Sequence, residues 1–190
     1  PDKRKPADLR TGMLGKAIKA YAWVGSPNDS GFFNFNKVHR KNPEIPKSLD
    51  YDLWLGPAPW APYCDMRVSR NFTHIYDYSL GCLSGAWGIH DVDIAQWVVD
   101  ADDTGPLETE GWGRFMKDGL FDTAECWELE HRSAYGVTLV HMDMPTALKR
   151  AWQFRLHWMS MLFTGTEGWI HVSRDSFQTD PPSLARVVLG

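Results

Sequence analysis

The chain has 190 residues, of which 43% are hydrophobic and 23% charged, enough apolar content for one domain with a real core. A formal net charge of −4 excludes the basic footprint that nucleic acid or an anionic membrane surface would need. No run approaches the roughly 20 apolar residues that span a bilayer, so neither nucleic acid nor membrane is an expected partner.

Pro1–Arg10 is polar, with four Lys or Arg in ten residues, and residues 1–11 are predicted to be a flexible arm ahead of a single domain over 12–190. "GKAIKAYAWVG" (Gly15–Gly25) sets Ile18, Ala20, Ala22 and Val24 against Lys19, Tyr21 and Trp23, the period-two pattern of a strand. Ser26–Pro62 is rich in Pro, Gly and Asn and predicts a long irregular segment. "GCLSGAWGIHDVDIAQWVVDA" (Gly81–Ala101) predicts the main helix, burying Leu83, Ile94 and Trp97. Gly105–Phe115 alternates as a second strand. Ala124–Met144 is a hairpin pattern turning near Tyr135–Gly136, and Gln153–Asp175 is another turning at Gly165–Gly168, with one helical turn at "TALKRAW" between them.

Tightly joined strands pair antiparallel. The expected fold is α+β: a predominantly antiparallel open β-sheet with one main helix packed on one face. The other face, carrying Trp112, Trp127, Trp158 or Trp169, is left for a dimer or domain contact. Ten Trp in the chain suit a core or a sugar-binding face equally. The three cysteines Cys64, Cys82 and Cys126 are odd in number and lack CxxC spacing, so they read as small buried hydrophobes rather than a disulfide or zinc framework.

The main helix carries the chemistry. On a helix, Ala86, His90, Asp93, Ile94 and Trp97 form one stripe, with Gly88 and Asp91 round the side. His90 and Asp93 at i, i+3 can bring an imidazole and a carboxylate to one point, which suits proton handling or a bond to a hydroxyl. A satisfied half-buried pair is the competing reading. A metal site is not expected, because no third ligand is placed by spacing. GxGxxG, P-loop, GxSxG and HExxH motifs are all missing.

Several segments together resemble one family. "LDYDLWLGPAPWAPY", "FTHIYDYSLGCLSGAWGIHDVDIAQW", "DDTGPLETEGWGRF", "GLFDTAECWELEHRSAYGVTL" and "FTGTEGWIHVSRD" are similar, in order, to the C-terminal domain of the Gfo/Idh/MocA oxidoreductases, relatives of glucose–fructose oxidoreductase and inositol dehydrogenase, many of them bacterial. The resemblance covers roughly Gly12 to Pro182, and its most specific parts are Gly88–Trp97 and the "GTEGWI" hairpin.

The resemblance implies a partner: an N-terminal Rossmann domain that binds NAD or NADP and supplies a catalytic lysine, absent from these 190 residues. The chain is then expected to be truncated at both ends. It would be the substrate-binding and oligomerisation domain of an NAD(P)-dependent sugar or polyol oxidoreductase, inactive in hydride transfer alone, with no cofactor-binding residue of its own. A homo-oligomer formed through the sheet is expected. The alternative is a non-catalytic carbohydrate-binding or assembly module. By the same resemblance His90 matches the active-site histidine. Asp93 and the Tyr76, Asp77, Tyr78 segment match substrate-pocket positions, and Gly88 lets the helix pass close to where nicotinamide and sugar meet. Ala86 stands where the family often has an acidic residue.

Overall fold

The computed structural model describes residues 14–27, 43–99, 101, 103–117, 119–134, 136–150, 152 and 155–186. The predicted arm over 1–11 lies outside them. Among the described residues, seven strands form one open sheet: β1 (Ala17–Val24), β2 (Glu108–Phe115), β3 (Ala124–Arg132), β4 (Thr138–Asp143), β5 (Met159–Gly165), β6 (Gly168–Ser173) and β7 (Phe177–Asp180). Their order across the sheet is β2-β3-β4-β1-β5-β6-β7. Every pairing is antiparallel except β1 with β4. The fold is therefore α+β with a mostly antiparallel open sheet, as the strand pattern predicted.

The alternation read in β1 decides which side each core faces. Ala20 and Ala22 join Leu139, Met161, Phe163 and Ile170 on one face. Against that face packs α3 (Gly88–Val98) through Ala95, supported by Val92, Val98 and Val99. Small residues on β1 let this helix approach the sheet closely. Trp23, Val140, Met142 and Leu162 occupy the opposite face.

That second face is not bare. Asp143 ends β4 and caps α4 (Met144–Leu148), accepting from Thr146 N at 3.0 Å and Thr146 Oγ1 at 2.9 Å. The chain then folds back so that Met144, Ala147, Trp152 and Leu156 cover Trp23 and Val140. Trp152 packs on Trp23 with its ring tilted by 30° at 4.9 Å, and Trp23 Nε1 donates to His157 O at 2.8 Å. On the face expected to make a dimer or domain contact, the centre is thus covered by residues of the β4–β5 connection. Trp127 is also misplaced in that expectation: it is fully buried on the helix side, with Val24, Cys82 and Met159. Trp169 does lie with the second-face cluster, while Trp112 is half-exposed on edge strand β2.

Two further expectations shift. The irregular segment after β1 contains α1 (Tyr51–Leu55), capped by the Asp50 carboxylate accepting from Leu53 N, and is followed by α2 (Asp65–Val68). Tyr51 and Leu55 of α1 make a satellite core with Tyr63, which precedes α2. The main helix is shorter than predicted. Gly81–Leu83 is a separate 3-10 turn, and α3 begins only at Gly88.

Candidate functional site

A cleft of about 600 Å³ opens between one flank of α3 and strands β5 and β6. The helix contributes Ile89, His90, Asp91, Asp93 and Ile94. The sheet contributes Met159, Met161, Val172 and Ser173, with Arg174 just beyond β6. An apolar floor with a few polar groups converging on it is the usual construction of a small-molecule site.

The way the helix is entered fixes which side chains reach this cleft. Gly81, at φ +62°, sits against Thr123, and Gly88 sits against the 3-10 turn. A β-carbon on Gly88 would lie 1.8 Å from Leu83 O and 2.9 Å from Cys82 O. The close approach that Gly88 permits in this structure is thus to the chain's own backbone. Starting at Gly88, the helix turns Gly88, Asp91 and Ala95 toward the protein. Ile94 and Trp97, expected to be buried, are exposed at 41% and 38%. Ala86 lies in the turn before α3, its N–H donating to Gly81 O at 2.9 Å, so no helical stripe joins it to His90.

His90 is exposed in the first turn of α3, its ring centroid 6.3 Å from that of Trp87. Trp87 is in turn held edge-on against Trp158 at 5.3 Å. Asp93, one turn on, is exposed in the same cleft, and the two side chains share the wall without a hydrogen bond between them. The structure thus brings His90 and Asp93 together as their spacing predicts.

It does not bring Tyr76, Asp77 or Tyr78 to this cleft. Tyr76 is exposed; its ring packs edge-on against Phe115 at 5.6 Å, and its N–H donates to Asp122 Oδ1 at 2.7 Å. Asp77 is exposed beside it. Tyr78 belongs to the satellite core: its hydroxyl accepts from Arg67 Nη1 at 2.9 Å and its ring meets Trp54 at 5.2 Å.

Asp91 and Arg174 are charged or titratable cleft residues that the sequence did not place in the site. Asp91 is only 5% exposed, and its Oδ2 has no hydrogen-bond partner. Burial pushes its carboxyl up to about 7, against the pull of the Arg174 charge. The signal for Asp91 was its position "round the side" of a helix whose true start rotates that side inward. No spacing could have revealed Arg174, which reaches the cleft only through the β5–β6 pairing.

Among the described residues no group of three or more His, Cys, Asp or Glu could hold a metal ion. Nor do they fit a dinucleotide. Among the described residues, the parallel pair β1 and β4 is not joined by a compact βαβ unit with a glycine-rich turn. No helix of the described residues is long and apolar enough to cross a membrane.

No curated protein matches the chain. A family model described as "Oxidoreductase family, C-terminal alpha/beta domain", of the Gfo/Idh/MocA type, matches residues 5–118, a stretch that runs from before β1 through α3 and β2. That match covers more than half of the chain and includes the helix that builds the cleft, so the chain belongs to the Gfo/Idh/MocA oxidoreductase family, as its C-terminal α/β domain.

Proposed function

We propose that the chain is the substrate-binding domain of an NAD(P)-dependent oxidoreductase acting on a sugar or polyol, and that His90 contacts the hydroxyl being oxidised. One observation carries this reading: His90 stands exposed in a cleft with an apolar floor, on the helix that the family match includes. The dinucleotide, carried by a separate Rossmann domain, would supply the hydride acceptor. This chain's residues would do the rest. Ile89, Ile94, Met159 and Met161 exclude water and fit the carbon skeleton. His90 accepts the hydroxyl proton, and Asp93 across the same wall favours the imidazolium that results.

The test combines this chain with a separately expressed dinucleotide-binding domain. Wild-type chain restores polyol oxidation, while His90→Ala lowers turnover by roughly 10²–10⁴-fold, the range for loss of a general base, with NAD affinity unchanged. Equal losses in turnover and NAD binding would mean that the substitution disturbs folding instead.

Ala86 favours a second reading. Without a carboxylate at that position, and with Ala86 outside the helix, the cleft would bind carbohydrate without oxidising it. Calorimetry that finds sugar binding, together with no turnover when the dinucleotide-binding domain is supplied, would decide for the binding module.

A further inference from the structure

Asp91 is a poor residue for the place it occupies if packing were its only task. It lies on the inward side of α3, 95% buried, between a helix and strands whose neighbouring side chains are Met159, Met161 and Val172. A carboxyl in such surroundings is normally tied by backbone N–H groups or a guanidinium. Here Oδ2 has neither, and Arg174 acts on the group only through its charge, with no ion pair formed. The same carboxyl lines the cleft, next to His90 in sequence. A ligand hydrogen-bond donor reaching this carboxyl would come from the cleft that Asp91 lines.

We propose that Asp91 is a ligand-contacting residue of the α3 cleft, accepting a hydrogen bond from a hydroxyl of a polyhydroxylated ligand and releasing its own proton as the ligand binds. The inference rests on the reading of the cleft as a polyol site and deepens it. The change balances simply: the neutral carboxylic acid becomes a carboxylate, the ligand hydroxyl stays intact as donor, and the proton passes to solvent. A hydroxyl donated to the carboxylate favours the charged form, reversing the effect of burial. With His90 on the adjacent position, two neighbouring hydroxyls of one ligand can be engaged together. The other charged or titratable groups lining this space are His90 and Asp93 on α3 and Arg174 after β6; β5 brings only methionines. His141, on the same face of β4, is turned to Trp127 instead.

Glycerol is a suitable probe, because it presents adjacent hydroxyls without demanding one sugar stereochemistry. The full chain, labelled with ¹³C at its carboxyl groups and at the methyls of Ile89 and Ile94, is titrated with acid in the presence and absence of glycerol. The methyl signals are expected to move with glycerol. The proton affinity of Asp91 should fall by roughly tenfold, with the exposed Asp52 of α1, outside the cleft, as the internal control. Asp91→Asn, with an unchanged amide spectrum, should bind glycerol roughly tenfold more weakly.

Methyl shifts without a change at Asp91, or an Asn variant that binds equally well, would overturn the role of Asp91 and leave the polyol cleft standing. A parallel response of Asp91 and Asp52 would mean a bulk solvent effect and would also overturn it. No methyl response would remove both readings. Should the Asn variant fail to fold, the wild-type titration alone decides.

Discussion

Three backbone atoms meet any β-carbon placed on Gly88: Leu83 O, Leu83 C and Cys82 O, all within 3 Å. None can rotate away as a side chain would. Gly88→Ala gains about 1 kcal/mol of helix propensity but is expected to destabilise the fold by about 2 kcal/mol net through overpacking, readable as a lower midpoint in urea. Asp91 behaves in the opposite sense. Its folded pKa of about 7 against an ordinary 3.8 means that the native state holds a proton the unfolded chain has lost between those values. Its stabilising contribution is therefore present in acid and disappears as pH rises through 7. Asp91→Asn should raise stability at pH 8 by an amount on the order of 3 kcal/mol, and by much less in acid. Urea denaturation at the two pH values checks both the gain and its direction. At this scale the sequence reading located His90 and Asp93 from spacing alone, because both lie in the one regular stretch of helix. It missed the burial of Asp91, because the side a residue occupies depends on where a helix begins, and Gly88 rather than Gly81 is that point.

The strands were legible and the helices less so, for a physical reason. Each strand carries its own period-two record of two faces, and β1, β3, β4, β5 and β6 appear where that record runs. β7 has four residues, too few to display a period. The short helices α1 and α2 owe their existence to caps and to aromatic packing among distant residues such as Tyr51 and Tyr63. Asp143 shows how one side chain fastens two elements. Besides capping α4, its Oδ2 accepts from Trp127 N of β3 at 2.6 Å, all of it fully buried. Asp143→Ala strands a buried backbone N–H and removes a cap, and is expected to cost about 2–4 kcal/mol, measured by thermal unfolding. The edge pair β2–β3 provides the contrast. Arg132 bonds Glu108 at 2.5 Å and also Glu110, but all three are widely exposed. Arg132→Ala should change stability by less than about 1 kcal/mol, within the scatter of the same melting experiment.

Across the whole molecule, buried imidazoles set the response to acid. Burial, with His131 adding to it at His141 and His157 at His171, lowers His74, His141 and His171 from 6.5 to about 4, 3 and 4. As pH falls from 6.5 toward 4 the unfolded chain takes up three protons that the native state refuses, so native stability declines. Asp91 opposes this with one proton, leaving about 1.4 kcal/mol lost per pH unit for each net proton. The melting temperature should drop over that interval, and more steeply in Asp91→Asn. The sheet has a comparable global property. β1 lies at its middle, bonded to β4 on one edge and β5 on the other, with more than a hundred residues of chain between β1 and either neighbour. During synthesis that strand emerges well before either of its hydrogen-bonding neighbours. Its backbone and its Trp23 stay uncovered until β4 and β5 are made, which marks this stretch as one a chaperone would shield. A nascent chain halted before residue 138 would have no native neighbour for it, and splitting the gene between β3 and β4 would leave the first fragment prone to aggregate.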